Sequence, residues 1–191
     1  SLPPRDILYR ALFGECRGEP VEAQIGVGCV VRNRVQDPRW PDRYGEVLLQ
    51  PGQFSCFNRD DPNLPKLLDP EGHEKLQVLE QLQWVAQGIV NDLLRDNVAG
   101  ANHYYDFSII VGRGQQEDPM RLARYLRAVD LILDPDRLRR VAGTGISGAA
   151  SDQAVQTAKD MIHSLVADLP PKWDNEVPPC ARKGRIVFFK L

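Results

Sequence analysis

The sequence lacks any apolar run that approaches the roughly 18–20 residues of a membrane-spanning helix. It also has little cysteine, with 4 residues in a chain of 191. No pair of cysteines has the Cys-x-x-Cys spacing typical of a zinc or redox site, and four are too few for a disulfide scaffold. We therefore expect no stable membrane insertion and mainly buried thiols, with one disulfide left open for a protein that acts outside the cytosol.

Metal-binding and phosphate-binding motifs are missing as well. The three histidines, His73, His103 and His163, are scattered along the chain. The segment 71–74 (Glu-Gly-His-Glu) lacks the pair of histidines at i and i+4 that a zinc protease helix needs. The chain also has no glycine-rich loop with the flanking strand and the spacing that bind a phosphate. The sequence therefore predicts neither a metal site nor any other cofactor.

Neither sign of charge dominates the sequence. There are 24 lysines and arginines against 26 aspartates and glutamates, so the formal net charge is −2. Nucleic-acid-binding domains typically carry a basic surface or tail, and this chain has no such tail. We therefore expect no nucleic-acid partner.

Proline, in contrast, is abundant, with 15 residues, and many prolines stand where a helix would begin. These predicted helix starts are Pro4, Pro20, Pro70, Pro119 and Pro135. Aspartates directly before two of them, Asp118 and Asp134, add the side chains that cap a helix N-terminus. Segments 102–107 and 185–190 are predicted as short strands. The pattern indicates a mainly α fold (α+β) with a small β element.

The longest predicted helix runs from Asp69-Pro70 to about Asp96. Its apolar residues recur at helical spacing and form one face, which is expected to enter the core. Trp84, in the middle of this helix, is also expected in the core.

A corner between the first two predicted helices, residues 14–20 (Gly-Glu-Cys-Arg-Gly-Glu-Pro), carries two acids. Glu15 and Glu19 are four residues apart, but Gly18 and Pro20 argue against one continuous helix. We expect both carboxylates to face a common space at a helix-to-helix turn. A glycosidase needs a carboxylic acid that stays protonated near neutral pH, and partial burial favours that state.

Spaced motifs around this corner resemble a known family. They are the run 11–20 (Ala-Leu-Phe-Gly-Glu-Cys-Arg-Gly-Glu-Pro), Asn33-Arg34-Val35, the run 50–55 (Gln-Pro-Gly-Gln-Phe-Ser), His103-Tyr104-Tyr105, Pro171-Lys172-Trp173 and the run 184–189. Together they resemble the SleB-like family of cell-wall hydrolases, which includes spore-cortex-lytic enzymes and some phage lysins. The resemblance implies a lysozyme-like fold that acts on the glycan strands of peptidoglycan. Residues 108–169 have no counterpart in it, so we expect a single catalytic domain over 1–191 with a helical insertion at about 108–169.

The resemblance also implies roles for individual residues. Glu15 matches the catalytic acid of the family, and Glu19 matches the second glutamate of its motif. Gln53 and Ser55 fall in the loop that lines the cleft, and Tyr104 and Tyr105 fall on the substrate wall. Because pyranose faces are apolar, further expected sugar contacts are Phe54, Phe57 and Trp173. Cys16 and Cys56 depart from the family, which has small residues at both positions.

Two mechanisms remain open for this site. A lytic transglycosylase would use Glu15 first as acid and then as base, and the C6 hydroxyl of the substrate would form a 1,6-anhydro product. A hydrolytic muramidase would use Glu15 together with Glu19. The resemblance favours the first route. Two alternatives from other classes are a thiol amidase with Cys16 as nucleophile and His103 as base, and a non-catalytic peptidoglycan-binding or structural module.

The expected setting follows from the expected substrate. Such a protein acts on the cell wall, in the periplasm or outside the cell, whether as an autolysin, a phage lysin or a delivered effector. The route of export stays open, as does a partner for immunity or delivery. We expect a monomer.

Overall fold

The structure is a computed structural model that describes residues 2–107, 119–143, 151–166 and 177–191. The chain divides into two compact units, residues 1–104 and residues 105–191. Over the described residues, no helix is both long enough and apolar enough to cross a membrane.

The first unit is helical. Its helices are α1 (Pro4–Cys16), α2 (Val21–Gln36), α3 (Tyr44–Leu48), α4 (Leu64–Leu68) and α5 (Leu76–Val90), with single 3-10 turns at Ser55–Phe57 and Pro70–Gly72. Pro4 is the first residue of α1, as predicted, because a fixed φ suits the first turn of a helix. Pro20 lies one position earlier than predicted. It is the N-cap of α2, where its extended backbone (φ −55°, ψ 152°) precedes the helix.

The core of the first unit lies where α1, α2 and α5 pack together. The apolar stripe of α1 is buried, with Leu8 and Leu12 fully inaccessible. Helix α2 is buried on most of its sides. Gly28 of α2 allows the close approach of α5, because a Cβ atom there would lie 2.9 Å from Cγ1 of Ile89.

The prediction of one helix from Asp69 to Asp96 was wrong at both ends, and the predicted burial of Trp84 was wrong as well. A 3-10 turn and an interruption precede α5, and the chain leaves the helix after Val90, where Asp92 adopts a positive φ of 55°. The backbone amides of Leu93 and Leu94 then bond to the carbonyl of Gly88, which closes the helix end. Trp84 is 56% exposed rather than in the core, because α5 buries the opposite face.

The second unit combines helices with a small sheet. Its helices are α6 (Pro119–Leu133), α7 (Pro135–Ala142) and α8 (Asp152–Val166), and its strands are β1 (His103–Asp106), which begins in the first unit, β2 (Ala181–Lys183) and β3 (Ile186–Phe189). The strand order is β1-β3-β2, and β2 pairs with β3 in antiparallel orientation. The predicted strand at 185–190 is confirmed as β3. Strand β2 was missed, because its three residues are all partly buried, two of them are charged, and they show no alternating pattern.

Side-chain caps explain where two of these helices, α7 and α8, begin. The side chain of Asp134 accepts the backbone amide of Arg137 at 2.9 Å, and the hydroxyl of Ser151 accepts that of Ala154 at 3.2 Å. The core of this unit is formed by buried apolar side chains, among them Phe107, Val129, Leu138, Val187 and Phe189. The mainly helical class with a small β element is therefore confirmed.

Candidate active site

The turn between α1 and α2 is held in place by one buried glutamine. The last carbonyls of a helix have no partner inside the helix and need another donor. The side-chain amide of Gln24 donates to the carbonyl of Glu19 at 3.0 Å and to those of Cys16 and Arg17 at 3.4 Å. Gln81 of α5 in turn donates to Oε1 of Gln24 at 2.8 Å. The corner that carries Glu15 and Glu19 is thus fixed by side chains of both α2 and α5.

Gly14 brings the 3-10 turn at Ser55–Phe57 close to this corner. Gly14 lies inside α1. A Cβ atom at this position would lie 2.7 Å from Cβ and 2.8 Å from Sγ of Cys56. The missing side chain therefore serves close packing, and it places Cys56 beside the end of α1.

Glu15 is half-buried and accepts hydrogen bonds from two side chains that are distant in sequence. The Tyr104 hydroxyl donates to Oε2 of Glu15 at 2.8 Å, and the Cys56 thiol also hydrogen-bonds to the carboxylate. Burial, reinforced by the negative charge of Glu15, raises the pKa of both Tyr104 and Cys56 above their ordinary values. Both groups therefore keep their protons at neutral pH and remain donors that orient the carboxylate.

Arg34, from the Asn-Arg-Val motif, joins three segments next to this site. Its Nε donates to the carbonyl of Asn102 at 2.7 Å, and its Nη1 donates to Oε1 of Gln53 at 3.0 Å. The guanidinium lies 4.4 Å from the ring centroid of Trp40 and 5.6 Å from that of Phe54. Arg34 is buried, and burial lowers its pKa. From the sequence alone Arg34 has no role beyond its place in the motif, because its partners are 19 and 68 residues away.

His103 lies next to this arginine. Its ring packs edge-on against Trp40 with a centroid distance of 5.8 Å, and its Nδ1 is 2.7 Å from Oδ1 of Asn102. Burial, together with the positive charges of Arg34 and Arg39, lowers the pKa of His103 to about 4. The imidazole is therefore uncharged at neutral pH.

The structure brings some of the predicted site residues together and separates others. Glu15 and Tyr104 are in direct contact, whereas Phe54 is only 3% exposed beneath Arg34. Ser55 is exposed at the start of its 3-10 turn, and Gln53 is exposed with its side chain on Arg34. Phe57 is half-buried and lines a largely apolar cavity of about 850 Å³ in the first unit.

The structure places two of the remaining predicted residues, Tyr105 and Glu19, and does not describe the third. Tyr105 follows Tyr104 on β1 but packs against the core of the second unit, since neighbouring residues on a strand point to opposite faces. Glu19 is half-buried, and its backbone amide bonds to the carbonyl of Cys16. Trp173 lies outside the described residues.

Neither an accessible Cys16 thiol nor a cluster of metal ligands is found among the described residues. Cys16 is 2% exposed and its Sγ bonds to the carbonyl of Leu12 at 3.4 Å, so it is not presented to a substrate. Across the described ranges there is no group of three or more His, Cys, Asp or Glu side chains that could hold a metal ion. The arrangement presents Glu15 as a carboxylate oriented by the Tyr104 hydroxyl and the Cys56 thiol.

Comparison with known proteins gives matches in one family. A profile of the family described as Cell Wall Hydrolase matches residues 18–124. The spore cortex-lytic enzyme of Bacillus subtilis is 37% identical over 50 residues, which cover 26% of this chain and 16% of that protein. The spore cortex-lytic enzyme of Halalkalibacterium halodurans is also 37% identical over 50 residues, 15% of its length. The match thus spans about a sixth of these curated relatives.

A solved structure is also similar. It is the catalytic domain of the germination-specific lytic transglycosylase SleB from Bacillus anthracis, with 18% identity and a TM-score of 0.49 over 100% of this chain and 98% of that one. The profile match extends over more than half of the 191 residues. The chain therefore belongs to the cell wall hydrolase family, as its spaced motifs predict.

Proposed function

We propose that this chain is a peptidoglycan-degrading glycosidase that cleaves the MurNAc-GlcNAc β-1,4 bond, with Glu15 as general acid and base. The observation that carries the proposal is the half-buried Glu15 carboxylate with the Tyr104 hydroxyl 2.8 Å from its Oε2. Membership of the family supports the substrate class. The family match begins at residue 18, so the role of Glu15 rests on its position and its contacts.

The proposed reaction needs only one acid that acts twice. Glu15 donates its proton to the glycosidic oxygen as the bond to C1 of MurNAc breaks, and the GlcNAc end leaves as an alcohol. The C6 hydroxyl of the same MurNAc then attacks C1 and returns its proton to Glu15. The product is a 1,6-anhydro sugar, and no water is consumed. The resemblance of the motifs around Glu15 to those of the SleB-like family favours this route.

Hydrolysis by Glu15 and Glu19 is the second candidate. Glu19 lies on the same turn as Glu15, and the family description names hydrolases. An inverting enzyme needs a second carboxylate about 6.5–9.5 Å from the first to activate water, and a retaining enzyme needs one at about 5–5.5 Å. In the hydrolytic mechanism the oxygen of water, rather than the C6 hydroxyl oxygen, forms the new bond to C1 of MurNAc.

We propose Gln53, Ser55, Phe57, Tyr104, Tyr105 and Trp173 as substrate contacts, and Phe54 as a support beneath Arg34. A lysozyme-like cleft, a monomeric state and action on the cell wall in the periplasm or outside the cell belong to the same proposal. So does the arrangement of one catalytic domain with an insertion at 108–169.

The decisive variant is Glu15→Gln, which keeps the shape of the side chain but removes the acid. We expect it to release no soluble muropeptides from purified sacculi, while its circular dichroism spectrum and melting temperature stay close to those of the wild type. Glu22→Gln is a matched control, because Glu22 is an exposed acid in the first turn of α2. Muropeptide release by Glu15→Gln at the wild-type rate would refute the assignment.

Mass spectrometry of the products separates the two mechanisms. Transglycosylation predicts 1,6-anhydro-MurNAc ends and a Glu19→Gln variant that retains most of its activity. Hydrolysis predicts reducing MurNAc ends and loss of activity in that variant. Binding of the wild type to sacculi with no release of muropeptides would instead identify a non-catalytic binding module.

A further inference from the structure

Trp84 is exposed on a helix whose opposite face forms the core of the first unit. The side chain is 56% exposed, whereas Leu82 and Val85, its neighbours along α5, are fully buried. Tryptophan is among the more buried residue types on average, so an exposed one on a well-packed helix calls for an explanation. Exposure by itself does not say what covers the indole, but the residues around it do.

The neighbours of Trp84 on this face are polar and mostly amides. Residues one or two helical turns away share its face, and these are Gln77, Glu80, Gln81 and Gln87. The first three are exposed and Gln87 is half-buried. A flat apolar ring surrounded by groups that both donate and accept hydrogen bonds matches a pyranose, which has an apolar face and a rim of hydroxyl and acetamido groups.

The charge of the helix narrows the choice of ligand. Helix α5 contains no lysine or arginine, and Glu80 is its one acid. An anionic polymer such as a nucleic acid would meet a negative charge and no counter-charge on this helix. A neutral glycan carries no such penalty.

This face is connected to the proposed catalytic corner. Gln81, one turn before Trp84, donates to Oε1 of Gln24 at 2.8 Å. Gln24 donates to the carbonyl of Glu19 at 3.0 Å and thereby holds the turn that follows Glu15. Hydrogen bonds through the buried Gln24 thus link Gln81, one turn before Trp84, to the turn that follows Glu15.

We propose that the Trp84 face, defined as Trp84 with Gln77, Glu80, Gln81 and Gln87, binds saccharide units of the glycan strand that extend beyond the sugars at Glu15. One sugar stacks on the indole, and the glutamine amides bind its hydroxyl and acetamido groups. This inference rests on the proposed function for its ligand. It assigns to the face a role in holding a long polymer and no part in bond cleavage.

Binding can be measured without cleavage in the Glu15→Gln background. We expect Glu15→Gln/Trp84→Ala to bind purified sacculi about tenfold more weakly than Glu15→Gln, a free-energy loss typical of one well-placed contact. Trp84→Phe in the same background should retain most of the binding, because it keeps an aromatic face. Leu93→Ala in the same background is the matched control. Leu93 is also an exposed apolar side chain (74%), but it lies outside α5 and is not part of the Trp84 face.

Kinetics on the active enzyme give a second readout. Trp84→Ala should raise KM for sacculi about tenfold and leave kcat unchanged, because the face lies outside the bond that is broken. Equal binding of Glu15→Gln and Glu15→Gln/Trp84→Ala overturns the inference, as does an equal loss of binding in the Leu93→Ala control. If the wild type releases no muropeptides, the proposed activity fails, and the binding comparison still decides the role of Trp84.

Discussion

Tyr104 donates its hydroxyl proton to Oε2 of Glu15 at 2.8 Å, across 89 residues of sequence. Tyr104 lies on β1 and Glu15 lies in the last turn of α1, so the contact depends on how the first unit folds. Because burial and the nearby carboxylate raise the pKa of Tyr104, the phenol stays a donor over the whole range in which an enzyme would work. One carboxylate oxygen of Glu15 is thereby oriented.

Tyr104→Phe should lower kcat by roughly ten- to a hundredfold. A hydrogen bond to a charged group contributes about 1.5–3 kcal/mol, and each 1.36 kcal/mol of lost orientation corresponds to a factor of ten in rate. The measurement is the initial rate of muropeptide release at saturating sacculi. Tyr44→Phe is the control, since it also removes a phenol from a half-buried position in the first unit. A Tyr104→Phe enzyme with wild-type kcat would contradict the orienting role.

Gly14→Ala should destabilise the fold by about 1–3 kcal/mol, although alanine favours a helix more than glycine does. The new Cβ would lie 2.7 Å from Cβ of Cys56 and 3.1 Å from Cδ2 of Leu67, which are both buried. Gly18→Ala is the matched control, because no atom lies within 4 Å of its Cβ position. Urea unfolding measures both variants. Equal free energies of unfolding for the two would show that the close approach at Gly14 has no energetic role.

His103 should titrate near pH 4 in the folded protein, well below the ordinary value of 6.5. Between these two pH values the unfolded chain binds a proton that the folded chain does not bind, so this histidine makes stability fall as the pH falls from 6.5 to 4. The imidazole nitrogen shifts in an NMR titration measure the pKa directly. His103→Gln should also reduce the loss of stability over this pH range, whereas His73→Gln, at an exposed position, should leave it unchanged. A His103 midpoint near 6.5 would contradict the buried environment.

Local signals in the sequence predicted much of the fold. The helices at 119–133 and 135–142 begin where the proline and aspartate pattern placed them, because capping depends on residues within one turn. The ends of the longest helix were predicted poorly, because they depend on more than the residues within one turn. A periodic run of leucines continues past Val90, but the positive φ of Asp92 and the contacts of Leu94 end the helix there.

In the candidate site too, some residues could be found from local sequence and others only from the tertiary structure. The corner with Glu15 could be found from the sequence, since the glycines, the acids and Pro20 are neighbours. The roles of Arg34 and Gln24 could not be found, because each side chain acts on carbonyls or amides whose positions depend on other segments. Trp84 was placed in the core from its position in the middle of the helix, yet α5 turns that side outward.

The sequence by itself determined where several helices begin, that Glu15 and Glu19 share one turn, and to which family the motifs belong. These properties depend on neighbouring residues, and the energies of caps and turns are local. The tertiary structure decided which donors reach Glu15, which aromatic rings are buried and which face of α5 is exposed. Those outcomes depend on the packing of α1, α2, α5 and β1, whose contacts join residues up to 89 positions apart.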